Sequence, residues 1–299
     1  GTFADKMRVA RLRFRARRIR PDEIWEHAET TTEQFLRKRG FSESFIDTFF
    51  RPFYGGIFLE RGLSTSSRMF EFTFKMFAEG SAALPAEGMG AIPEQLRARL
   101  PVDAVRLNTS VDRIDGTTVE FHDGSTMQAQ HVVVATDQNA AAALDPTVKT
   151  RPWNSVTQVL FSAAESPLGE AVVALNASGG GAVNDVCVPS DVSTGYAPAG
   201  RSLISVSVLG TPGDSALTSV TDELRQMFGK QVDEWKHLRT LAIPHALPQQ
   251  QSVGNGAERK RPRAASHPQR YHCGDYRTHS SIDGAIRSGL VAAEKILRA

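Results

Sequence analysis

Hydrophobic residues are spaced differently in successive stretches of this chain, and each spacing predicts a different kind of element. Near the start, Val9, Leu12 and Phe14 lie among Arg8, Arg11, Arg13, Arg15, Arg17, Arg18 and Arg20, and the period fits neither a helix nor a strand cleanly. From residue 30 a helical spacing takes over. Thr30, Thr31 or Thr32 can cap a helix carrying Phe35 and Leu36. After Gly40 a second helix runs through Phe45, Ile46 and Phe49 and is expected to end at Pro52, because proline has no N–H to continue the ladder. A third, opened by Ser64, Thr65 or Ser66, carries Met69, Phe70, Phe74 and Phe77 over residues 63–78. Residues 85–90 form a turn, and Pro93 sits early in a helix ending near Leu100.

Strand patterns follow. Val105 to Ile114 alternates, Thr118 to Phe121 continues, and Asp123-Gly124 is a hairpin signal. The short, continuous apolar run from His131 to Asp137 suits a buried parallel strand. Beyond an alanine-rich connection after Asn139, strands are expected at about 155–162, 171–176, 182–188 and 202–209, then a helix over 218–228 and a closing strand over 235–243. No helix follows Gly179, Gly180 and Gly181, so they read as a turn and not a phosphate loop. Residues 249–270 are polar, basic and proline-bearing, and read as a loop. Tyr271 to Cys273 ends a short strand, Gly274-Asp275 turns, and a last helix carries Ala285, Ile286, Gly289, Leu290, Ala293 and Ile296 on what reads as its apolar face.

Composition narrows the function. A chain of 299 residues can bury a sizeable core in one large domain or two intermediate ones. The net charge of +2 gives no global attraction to nucleic acid, so the arginines near the start read as a solvated element in preference to a phosphate or membrane-surface patch. Cys187 and Cys273 are far apart and lack metal-ligand spacing, which points to a reducing, cytoplasmic setting without disulfide or zinc. The eight histidines make no metal-type pair. No run reaches membrane-span length, so a soluble or peripherally attached protein is expected. Phe41, Phe45, Phe49, Phe50, Phe53, Tyr54 and Phe58 read first as core and second as the lining of a pocket for an extended apolar ligand.

The candidate chemistry lies at the end of the chain. A helix beginning at Ser281 to Gly284 presents unpaired N–H groups and a positive dipole end, which suit an oxygen that gains negative charge. The segment CGDYRTHSSIDGAIRSGLVAAEKIL, residues 273–297, resembles the carboxy-terminal FAD motif of the amine oxidase and phytoene desaturase-like flavoproteins, and GFSESFIDTFFRPFYGGIFLE, residues 40–60, resembles their substrate-side helices. The resemblance implies an α/β fold in which an incomplete glutathione reductase-type FAD/NAD(P)-binding domain is interleaved with a mixed-sheet plus helices substrate domain. It divides the chain into substrate-domain helices over 1–80, an FAD-domain segment over 81–140, a substrate-domain sheet over 141–258 and a closing FAD-domain segment over 259–299. It also implies FAD as cofactor, with Asp275 bonding the ribityl chain beside Gly274. Ser281, Ile282, Asp283 and Gly284 would face the flavin pyrimidine edge, the turn at Gly88-x-Gly90 would lie near the flavin, and the backbone at Val111 would read the adenine.

Two departures stand out. No strand, G-x-G-x-x-G and helix unit occurs in these residues, so the pyrophosphate cradle is missing and the chain reads as an inactive fragment of an FAD-dependent oxidoreductase. Residues 256–272 fit poorly, with Tyr271-His272 where the family has an aliphatic approach. The expected reaction is hydride transfer from an organic substrate to flavin N5. Residues 151–159 hold no lysine where amine oxidases commonly keep one, which favours a larger apolar substrate. His279 reads as a solvated or structural residue, and no catalytic residue is assigned. The alternative is a non-catalytic remnant that serves as an interaction module.

Overall fold

The computed structural model describes residues 1–213, 216–251 and 267–299. The expected loop at 249–270 falls largely outside the described residues. The chain divides into two compact units, one containing Gly1–Gln95 and Trp153–Leu247, the other Leu96–Pro152, Pro248–Gln250 and the residues from 267 onward.

In the first unit the arginine-rich start forms α1 (Phe3–Ala16). The ambiguous period resolves through a capping box. Thr2 Oγ1 accepts from the Asp5 N–H at 3.1 Å, and the Asp5 carboxylate accepts from the Thr2 N–H at 2.9 Å. Asp5 is fully buried and also accepts from the Ser42 N–H and hydroxyl at 3.0 and 2.8 Å. The Ser42 backbone bond above all holds its carboxyl below the usual range. A second capping box at Thr31 and Gln34 starts α2 (Thr32–Lys38).

The next helix does not stop at Pro52. It runs from α3 (Glu43–Phe45) through a π-type turn at Ile46–Phe50 into α4 (Arg51–Phe58). The wide turn places Pro52 at a helix start, where the missing N–H leaves no bond unmade. Ser66 caps α5 (Ser67–Glu79). Phe41, Ile46, Phe50, Tyr54, Phe58 and Phe70 are buried together, with Tyr54 and Phe70 rings 4.6 Å apart, so most of the aromatic run is core. A short α6 (Ala91–Arg97) follows.

The second unit begins with a meander of β1 (Val111–Asp115), β2 (Thr118–Phe121) and β3 (Thr126–Gln128). The alternation at 105–110 is not strand: Asn108 is left-handed at φ 54° and Leu107 is 72% exposed, so the chain turns where an extended backbone was expected. Next come β4 (Val132–Val134) and α7 (Gln138–Leu144). The alanine-rich stretch is therefore a helix and not a connection. Asp137 caps it by accepting from the Asn139 and Ala140 N–H groups at 2.8 and 3.2 Å, and alanine is the best helix former.

The chain then returns to the first unit for β5 (Trp153–Ala163), β6 (Val173–Leu175), β7 (Val183–Cys187), α8 (Pro189–Val192), β8 (Ser202–Leu209), α9 (Ala216–Phe228) and β9 (Lys236–Pro248). The sheet order is β6-β7-β8-β5-β9. Val159, Phe161, Ile204, Val206 and Val208 alternate inward and pack with Val220 and Leu224 of α9. A one-residue slip on either strand would turn that row out. Between Val183 and Asp185 the register shifts, which puts Val183 and Val186 on one face despite their odd spacing. Asn184 is freed to donate to Pro52 O at 3.0 Å. At the sheet edge β9 tolerates Pro244, where an absent N–H disrupts no inner ladder, and so runs past residue 243.

Last, β10 (Arg270–His272) pairs parallel with β4, Arg270 opposite Val132 and His272 opposite Val134, and α10 (Ile282–Leu297) closes the second unit.

Candidate functional site

Parallel strands β4 and β10 end together, and ligands of open α/β sheets bind outside such carboxyl ends. Asp137 follows β4, and Cys273, Gly274 and Asp275 follow β10. Gly274 has φ 144°, and a Cβ there would lie 2.5 Å from the Tyr276 ring and 3.2 Å from Thr136 O. Glycine is thus needed both for the conformation and for the space. Its N–H donates to Ser288 Oγ at 2.7 Å, tying the turn to α10.

Asp275 is half-buried, and burial, the largest effect, together with nearby Asp137 raises its pKa. Tyr276 beside it is buried, its hydroxyl pushed up to about 12 by burial and, among the described residues, without a hydrogen-bond partner. A desolvated carboxylate next to an unmatched hydroxyl, over a glycine cradle, suits a ligand rich in hydroxyl groups.

The start of α10 is built tightly. Ser281 Oγ accepts from the Gly284 N–H at 3.0 Å and is hydrogen-bonded to His279 Nδ1 at 2.9 Å, while His279 Nε2 lies 3.3 Å from Asp283 Oδ2. His279 is buried with both ring nitrogens bonded, a positioning role. Asp283 also accepts from Arg287 Nε at 2.8 Å, and Ile282 is half exposed. Of the sequence-predicted residues, Gly274, Asp275, Ser281, Ile282, Asp283 and Gly284 thus lie on one turn and helix start. Val111 stands apart on the meander, partly buried in the apolar cluster that contains Tyr276.

The buried face of α10 is not the expected one. Gly284, Ser288 and Ala292 face inward, whereas Ile286 and Leu290 are 44% and 61% exposed. Small side chains let the helix approach the Gly274 turn, and the larger ones would have held it off. A ligand with hydroxyl groups and an oxygen that gains charge would meet a carboxylate and the positive end of a helix here, whereas none of these residues makes a cradle for a pyrophosphate.

A buried charge cluster that no local spacing announces lies beneath the turn. Asp145 is fully buried, with His272 Nε2 at 2.9 Å and Arg270 Nη1 at 3.7 Å. Arg270 also donates to Ile114 O and Gly116 O at 3.0 and 3.1 Å. The departure from an aliphatic strand at Tyr271-His272 was the one available signal. Burial, outweighing Asp145, lowers the His272 pKa.

A depressed folded value means that the unfolded chain binds the proton more tightly. The stability conferred by neutral His272 is therefore present above the unfolded value of about 6.5 and is lost as pH falls from there through the folded value. Thermal melts followed by circular dichroism at pH 7.5 and 5.5 are expected to show a larger drop for the native protein than for His272→Gln. An equal drop in both would remove this residue from the pH response.

The fold and the sequence can be set beside known proteins. An oxidoreductase from Methanosarcina mazei superposes with TM-score 0.76 at 17% identity, covering 98% of this chain and 73% of that one. Cyclohexylamine oxidase from Brevibacterium oxydans gives TM-score 0.60 at 13% identity, over 90% and 67%. Reduced UDP-galactopyranose mutase gives 0.54 at 13% identity, over 74% and 56%. These likenesses show an α/β fold of the FAD/NAD(P)-binding kind. No curated protein sequence matches significantly. The pattern that defines the flavin containing amine oxidoreductases matches residues 2–297, nearly all of the chain, so the chain belongs to that family of FAD-dependent oxidoreductases.

Proposed function

We propose that the second unit holds FAD at the Gly274–Gly284 turn and helix start, and that the substrate is an organic, largely apolar molecule. One observation carries the reading: the half-buried Asp275 carboxylate at the carboxyl ends of β4 and β10, beside the capped start of α10. FAD held there by Gly274, Asp275 and the start of α10 would supply the oxidising chemistry, as a hydride acceptor for a substrate C–H. Asp275 accepts a hydroxyl hydrogen bond, which offsets its desolvation. The positive end of α10 favours an oxygen that gains charge. His279 and Ser281 hold that helix start in place. Val111, on the same unit, is the proposed adenine contact.

Two features support an apolar substrate. Phe45, Phe49 and Phe53 stack with centroids 5.3 and 5.5 Å apart and are only partly buried, and residues 151–159 contain no lysine. Flavin absorbance after desalting tests the site. The 299 residues, having no G-x-G-x-x-G unit, are expected to lose FAD, and a longer form carrying one to retain it. Tight stoichiometric FAD on the 299 residues would show that the cradle contributes little. Anaerobic flavin reduction then tests the substrate. Bleaching by simple amines with none by polyenes would overturn the apolar assignment, and a chain that never binds flavin would favour the non-catalytic reading.

A further inference from the structure

The outer face of α1 carries a pattern that the flavin site does not use. Asp5, Leu12 and Ala16 point inward. On the opposite side Phe3, Met7 and Phe14 are 79%, 56% and 59% exposed, and at 3.6 residues per turn they form one stripe. Lys6, Arg13 and Arg17 flank that stripe on one side, Arg11, Arg15 and Arg18 on the other. Within α1 five cations stand against the single acid Asp5, which pairs with Arg8 at 3.6 Å. Among the described residues Lys6, Arg11, Arg13, Arg15 and Arg17 form no ion pair. Arg11 and Arg15 lie near enough to Arg39 to add to the effect of burial in lowering its pKa. The Arg18 guanidinium carbon stands 3.8 Å from the centroid of the Phe14 ring.

Exposed apolar residues are normally scattered singly, whereas an apolar ridge between two rows of cations is the pattern of a helix that lies in a membrane interface. We propose that α1 is a peripheral anchor, its Phe3, Met7 and Phe14 entering the headgroup–acyl boundary of an anionic lipid surface while the flanking arginines meet the headgroups. Charge complementarity selects this occupant. A second copy would bring like charges together, and a nucleic acid would leave the central apolar ridge unused. The inference is independent of the flavin reading.

Flotation of the 299-residue protein with vesicles of phosphatidylcholine containing about one third phosphatidylglycerol tests it. Binding is expected to weaken with added salt, and to be at least about tenfold weaker on pure phosphatidylcholine. The triple variant Phe3→Ser, Met7→Ser, Phe14→Ser should lose at least about tenfold in partitioning without a change in melting temperature. Phe14→Trp, which keeps the ridge apolar, should show a blue-shifted emission when anionic vesicles are added. Absence of flotation, unchanged partitioning of the triple variant, or an unshifted Trp emission would overturn the proposal. So would binding to duplex DNA, or self-association abolished by the triple variant, if either occurs without vesicle binding.

Discussion

Replacing Gly284 by alanine is expected to destabilise the second unit by about 3 kcal/mol, the upper end of the usual cost of overpacking. An added Cβ would stand 1.9 Å from the His279 carbonyl oxygen and 2.8 Å from Thr278 Oγ1. The first is backbone and cannot swing away. Thr278 Oγ1 also donates to Gly284 O at 2.8 Å, so moving the helix aside would break a second tie. Gly289, on the same helix, has nothing within 4 Å of an added Cβ. Gly289→Ala should therefore stabilise by up to about 1 kcal/mol through helix propensity. Urea unfolding of the two variants checks the contrast. Equal effects would mean that the turn before α10 is looser than its contacts indicate.

Asp275→Ala is expected to weaken FAD binding by about 10- to 100-fold, as removal of a hydrogen bond to a charged group does, and Asp283→Ala by less than about fivefold. Asp283 is already engaged by Arg287 and His279, whereas Asp275 has no ion pair among the described residues. Flavin titrations of a form that retains FAD give the ranking, and reversal of that ranking would remove Asp275 from the site. A second readout needs no flavin. Because the Asp275 pKa is raised, the stability tied to its protonated form is complete below the unfolded value of about 3.9 and is lost as pH rises through the folded value. Asp275→Asn, which cannot ionise, is therefore expected to lose less melting temperature than the native ligand-free protein as pH rises from acid to neutral.

Much of this was legible in the sequence where one physical cause dominates locally. The inward rows of β5 and β8 follow from strict alternation, the start of α10 from Ser281, and the parallel strand from an unbroken apolar run. Misreadings arose where a second cause intervened. At Pro52 a wide turn removed the penalty that should have ended a helix, and at 105–110 a left-handed Asn108 broke an alternating pattern. On α10, close approach to the Gly274 turn selected the small residues for burial over the large ones. The cluster of Asp145, Arg270 and His272 joins residues far apart in the chain, and no local spacing could announce it.

One contact bears on the order of folding. The Gln249 N–H donates to Pro152 O at 2.9 Å, so the chain leaves the second unit and returns to it at one point. Closing a loop of about 100 residues costs about 4 kcal/mol of chain entropy, too much for a single hydrogen bond to repay. The excursion begins with β5 and ends with β9, however, and these are neighbours in the five-stranded sheet. Once that sheet has zipped, both ends of the detour already lie together and the remaining closure is short. The segment from Trp153 to Leu247 thus behaves as an inserted module whose own pairing brings its two ends together, leaving the flanking residues Pro152 and Gln249 positioned to meet.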